Sequence, residues 1–141
     1  LLRVETGELQ WQADLPGGDY PAALAADAER GFAALSNGTA CCVRLADGKA
    51  MWSIESGETL LDLVPARRGG AGMLAAPFVW RDWLLVSGGD GVLQILDPCT
   101  GRSLQQIGFG TSLTTTPCAL GNGFCVAGFD GRIQMLAPPA S

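Results

Sequence analysis

The sequence predicts an all-β fold, a partial β-propeller of about three four-stranded antiparallel blades, and three observations carry that prediction. A turn dipeptide recurs in one register as Asn37-Gly38, Asp90-Gly91 and Asp130-Gly131. Five residues after each glycine stands an apolar residue, Val43, Leu96 or Leu136. A second series of turn glycines, Gly7, Gly48 and Gly101, is followed at a fixed offset by Trp11, Trp52 and Gln105. The second series is spaced by 41 and 53 residues, and the first by 53 and 40. A unit of about 40 residues holding short strands and Gly/Asp turns has the period of a propeller blade.

In chain order, residues 1–14 read as the outer strand of a preceding or closing blade, because Trp11 follows Gly7 as Trp52 follows Gly48. Residues 19–54 form a blade, 55–72 an inter-blade insertion, 73–108 a second blade, and 113–138 a blade lacking its outer strand. The first strand of each blade surrounds a proline, Pro21, Pro77 or Pro117. The second precedes the Asn-Gly or Asp-Gly dipeptide, the third follows it, and the fourth follows the next turn glycine. Those dipeptides predict type I′ hairpins, which need positive φ at both central positions. The insertion accounts for the one long spacing: 25 residues separate Trp52 from Pro77, against 10 from Trp11 to Pro21. A single helical turn at 58–64 is the one interruption of the β pattern. Starting on a fourth strand and stopping after a third, the chain reads as the C-terminal portion of a larger propeller.

Composition narrows the function. With 48% hydrophobic residues and 20 glycines in 141, the chain suits many short strands around a core and excludes disorder. The longest apolar run, 73–80, falls short of the ~18 residues a membrane helix needs, so no membrane span is expected. A net charge of −5 argues against a nucleic-acid surface. Arg67-Arg68 is the only basic cluster and reads as a solvated loop.

Catalytic residue types are sparse. The chain has no histidine, which rules out Ser-His-Asp or Cys-His chemistry built from this chain alone. Asp90 and Asp130 are explained by turn chemistry, and no helix follows Gly88-Gly89-Asp90-Gly91 to make a phosphate site. The five cysteines lack C-x-x-C spacing, so neither a disulfide framework nor a zinc site is expected. Cys118 and Cys125 face each other across the hairpin at Gly121-Asn122 in a hydrogen-bonded pair, where the side chains stand farther apart. A bridge can be drawn there, but both read as small core-filling residues replacing Phe78 and Leu85. Cys41-Cys42 lies within a third strand, with Cys42 at the place of Ile95 and Met135, and reads as a strand thiol. Five free thiols favour a reducing, cytoplasmic compartment. No catalytic, cofactor or metal residue is assigned. Trp11 and Trp52 read as wedges between blades. The candidate partner contact combines Leu60, Leu61, Arg67 and Arg68 of the insertion with Trp80 and Trp83, which flank the Arg81-Asp82 turn.

The run Leu96-Asp97-Pro98-Cys99-Thr100-Gly101-Arg102, the segment from Gly123 to Ile133, Glu5-Thr6-Gly7-Glu8-Leu9-Gln10-Trp11 and Ala46-Asp47-Gly48-Lys49-Ala50-Met51-Trp52 resemble quinoprotein-type (PQQ-like) propeller repeats. The resemblance covers nearly all of the chain outside residues 53–72. Within that family the chain is similar to the C-terminal propeller of β-alanine-activating enzymes, adenylate-forming proteins of the aminoadipate-semialdehyde dehydrogenase type. That propeller shares cysteine-containing third strands and segments like Ala75-Ala76-Pro77-Phe78. The resemblance implies a non-catalytic scaffold or binding propeller whose partner is another protein or the parent's other domains, with no cofactor. Two other members of the family remain open: a PQQ-dependent dehydrogenase, which would stack a Cys41-Cys42 ring on its quinone, and an outer-membrane-assembly scaffold.

Overall fold

The computed structural model describes residues 1–15, 21–55 and 75–138. Among them, eleven strands form three antiparallel sheets, each a meander in sequence order. The first sheet holds β1 (Pro21–Ala26), β2 (Arg30–Leu35), β3 (Thr39–Arg44) and β4 (Ala50–Glu55). The second holds β5 (Phe78–Trp80), β6 (Trp83–Ser87), β7 (Val92–Leu96) and β8 (Ser103–Gly108). The third holds β9 (Cys118–Leu120), β10 (Gly123–Ala127) and β11 (Ile133–Leu136). No helix occurs among the described residues, so none is long and apolar enough to cross a membrane. The helical turn expected at 58–64 lies outside the described residues.

The repeat survives into the backbone. In both four-stranded sheets the ladder between third and fourth strand is broken by a bulge at one register position, Cys42/Val43 and Ile95/Leu96. The turns after the third strand are superposable in their hydrogen bonds. Gly7 N–H donates to Arg3 O at 2.7 Å, Gly48 N–H to Arg44 O at 2.8 Å, and Gly101 N–H to Asp97 O at 2.8 Å. These three glycines have φ of 68°, 73° and 71°, a left-handed conformation that a side chain resists.

The Asn-Gly and Asp-Gly turns differ from the expected type I′. Only the glycines, Gly38, Gly91 and Gly131, have positive φ; Asn37, Asp90 and Asp130 do not. Each glycine N–H instead donates to the carbonyl three residues back, Leu35, Gly88 or Gly128. The Asn or Asp side chain meanwhile accepts from the amide two residues on, at 3.0, 3.0 and 3.1 Å. This is a type I turn followed by a left-handed glycine, and the Asx side chain, by holding its own backbone right-handed, decides between the two geometries.

The core lies between sheets. One layer joins Phe32, Ala34, Ala40 and Cys42 of the first sheet to Leu84, Val86 and Leu96 of the second. Another joins Trp80, Leu85, Leu93 and Ile95 of the second sheet to Phe124 and Val126 of the third. Alternation along each strand therefore serves two partners, one per face. Residues 1–14 make no strand within a sheet; they form a turn closed by the isolated bridge Leu2↔Leu9.

Candidate functional site

In a meander, the first and third turns of each sheet fall at one end and the middle turn at the other. At the first end, neighbouring sheets are tied by tryptophan. Trp52, on β4, lays its indole against the turn glycine Gly101 of the next sheet, and its Nε1–H donates to Pro98 O at 3.0 Å. Trp11 repeats the arrangement, lying against Gly48 and donating to Leu45 O at 2.6 Å. Both indoles are half-buried rather than enclosed. Trp52 thus acts as the inter-blade wedge that the sequence suggested, while Trp11 packs a segment outside the sheets against the first sheet in the same way.

Beside this joint lies a cleft of about 460 Å³ built from three turns. The β1–β2 loop supplies Asp27, Glu29 and Arg30, the β5–β6 turn Arg81 and Asp82, and the β7–β8 turn Asp97 and Cys99. Asp27 Oδ1 accepts from the amides of Glu29 (2.9 Å) and Arg30 (2.7 Å), and Oδ2 pairs with Arg30 Nη2 at 2.8 Å. Partial burial pushes the Asp27 carboxyl up, but those hydrogen bonds outweigh it and hold the pKa below its ordinary value. Arg30 Nη1 also donates to Cys99 Sγ at 2.7 Å, so the loop of one sheet grips the turn of the next. The amide of Cys99 donates to Asp97 Oδ1 at 2.8 Å and, as the leading cause, lowers the Asp97 pKa. The cleft thus carries four acidic side chains, Asp27, Glu29, Asp82 and Asp97, against the two guanidinium groups of Arg30 and Arg81.

Of the expected contact residues, Leu60, Leu61, Arg67 and Arg68 lie outside the described residues. Trp80 is buried, 8% exposed, and meets Phe124 edge-on at 5.5 Å in the core between second and third sheets. Its face is therefore not offered to a partner, and it holds the turn from below. Trp83 is half-buried, 5.6 Å from Trp80 between ring centres. Arg81 stands exposed at the tip with its guanidinium 4.6 Å from the Trp80 ring centre. At φ 55° it is the one non-glycine residue of positive φ among those described. The matching position in the third sheet is Gly121, φ 60°. The Asp27–Arg30 loop and Cys99 were missed in the sequence because their meeting crosses 69 residues.

All five cysteines are thiols. Cys41 and Cys42 point to opposite faces of β3, one toward Ala33 and Leu35, the other into the layer shared with the second sheet. Burial pushes both thiols up, Cys42 to about 11. Opposite faces give a quinone no sulfur ring to stack on. Cys118 and Cys125 do not fill a core as expected: Cys118 is exposed and Cys125 half-buried. They occupy the register of Phe78 and Leu85, but on a face that no described residue covers. At the other side of the molecule, an apolar cleft of about 510 Å³ opens on the first sheet between Trp11, Leu15, Ala33, Cys41 and Leu45.

No protein-family model matches the chain, and no curated protein matches it. Among solved structures, it is similar to BamB from Moraxella catarrhalis, with 21% identity and a TM-score of 0.69 over 90% of this chain and 36% of that one. It is also similar to the WD40 β-propeller domain of Doa1, with 16% identity and a TM-score of 0.61 over 79% of this chain and 34% of that one. The chain therefore spans about a third of the length of the structures it matches. At these identities the likeness concerns the fold: three consecutive antiparallel sheets stacked face to face with a β-propeller's arrangement.

Proposed function

We propose that this chain is part of a larger propeller that serves as a non-catalytic binding scaffold for a protein partner. The observation that carries the reading is the carboxylate-rich cleft at the tryptophan-tied end, assembled from turns of two sheets on a rigid core. Turn residues held by a packed scaffold are the usual place for recognition, since they vary without disturbing the sheets. The excess of Asp27, Glu29, Asp82 and Asp97 over Arg30 and Arg81 favours a basic segment. The apolar cleft on the outer face of the first sheet and the exposed Ile133 and Met135 of the third support continuation of the stack on both sides. The resemblance to β-alanine-activating enzymes makes the other domains of such a parent the first partners to test.

The test is binding of lysine-rich and glutamate-rich peptides to the chain, read by fluorescence anisotropy at low and high salt. The lysine-rich peptide is expected to bind selectively and to weaken with salt. Joint reversal of the exposed Glu29→Lys and Asp82→Lys should weaken it about tenfold or more. Equal binding of both peptides, or no effect of the reversal, overturns the reading.

A further inference from the structure

We propose that Cys118 and Cys125 form a thiol–disulfide site, converted to an intramolecular disulfide by low-molecular-weight disulfides such as oxidised glutathione. The two residues are direct partners in the β9–β10 ladder. Their Sγ atoms lie 3.0 Å apart, inside ordinary contact for two thiols. In a hydrogen-bonded antiparallel pair the Cα atoms stand about 5.5 Å apart, within the roughly 4.4–6.8 Å that disulfides span. Closing from 3.0 Å to a bond of about 2.05 Å requires the two sulfurs to approach by about 1 Å. The Gly121-Asn122 turn, with Gly121 at φ 60°, fixes the register that holds the pair opposed.

Exposure assigns the roles. Cys118 is open to solvent and can be reached by a small disulfide, whereas Cys125 is half-buried behind it. The Cys118 thiolate attacks one sulfur of oxidised glutathione, forms a mixed disulfide and expels a glutathione thiolate. The Cys125 thiolate then attacks the Cys118 sulfur and expels the second glutathione thiolate. The two protein thiols lose two electrons, the small disulfide gains them, and the two protons end on the released glutathione. At rest, the hydrogen bond with Cys125 holds the Cys118 pKa above its ordinary value, so Cys118 waits as a thiol rather than as a reactive thiolate.

The other cysteines lack this combination. Cys41 and Cys42 are buried on opposite faces of one strand, and Cys99 meets an arginine rather than a thiol. The second and first sheets carry Phe78 with Leu85, and Ala25 with Phe32, where the third sheet carries its two cysteines.

The test treats the folded chain with oxidised glutathione, alkylates the remaining thiols and digests with trypsin, which leaves both cysteines in the single peptide 103–132. That peptide is expected to lose two hydrogens and take no alkyl group, while the other three cysteines are alkylated. Chymotryptic cleavage between Cys118 and Cys125 should then leave two fragments joined until reductant is added. Cys118→Ser should abolish the loss, and the folded chain should close at least about tenfold faster than the chain in denaturant. Glutathione remaining on Cys118 without closure, dimers linked through Cys118, or closure no faster in the folded chain would each overturn the proposal.

Discussion

The tryptophan joint between sheets yields a quantitative prediction through Trp52 and Gly101. Truncating a fully buried indole costs about 3–5 kcal/mol. Trp52 is half-buried, which brings its packing share to about 2 kcal/mol, and loss of the 3.0 Å hydrogen bond to Pro98 O adds about 1 kcal/mol. Trp52→Ala should therefore destabilise by about 3 kcal/mol. The same contact can be attacked from the other side. A Cβ on Gly101 would meet the indole at 2.6 Å, and φ of 71° already disfavours a side chain by about 1–2 kcal/mol. Overpacking adds about 1–3 kcal/mol, so Gly101→Ala should cost about 2–5 kcal/mol. Once the indole is removed, only the backbone part of the glycine penalty remains. The double variant should thus be more stable than the sum of the singles implies by about 1–3 kcal/mol. Urea titrations of the four proteins, followed by far-UV circular dichroism, give the cycle directly. Strict additivity would refute the joint as an energetic unit, as would a Trp52→Ala protein of unchanged midpoint.

Further predictions follow from single sites. Ser87 Oγ is fully buried with no hydrogen-bond partner among the described residues, while the matching residues of the other sheets are Ala34 and Ala127. Ser87→Ala should raise stability by about 1 kcal/mol, and a lower urea midpoint would contradict the orphan assignment. Arg81→Gly should gain about 1 kcal/mol from the backbone at φ 55°, less whatever its contact with Trp80 contributes. Gly121→Arg in the third sheet, which has no tryptophan at that place, should lose a similar amount; equal effects of the same sign would refute the argument. The Arg44 side chain holds the Asp47 carboxyl down to about 2, which a carboxyl-detected NMR titration should reproduce. The folded-state pKa values of Asp27, Asp47 and Asp97 all lie below their ordinary value. Their contribution is therefore complete above about pH 4 and is lost as pH falls through the folded values toward about 2. A urea midpoint that rises on acidification in that window would reverse this sign.

Which residues turn the chain and the order of the strands within each sheet were legible from the sequence, whereas residues 1–14 form no strand and β5 and β9 begin only after Pro77 and Pro117. The legible properties are local. Gly48 and Gly101 need positive φ wherever the sheets lie, and Trp11 and Trp52 stand at a fixed offset from such glycines. The repeat supplied the rest, because one register reads three times. Tertiary structure decided what each face meets. Trp80 and Leu120 share a register position, yet Trp80 is 8% exposed against the third sheet and Leu120 is 54% exposed. Phe78 and Cys118 differ in the same way: the pattern assigns both to a core, and only the neighbouring sheet makes one. The turn geometry also escaped the dipeptide signal, since an Asx side chain bonding its own backbone leaves positive φ to glycine alone. Burial and the cleft between two sheets depend on contacts far apart in the chain, and those are fixed when one blade packs upon another.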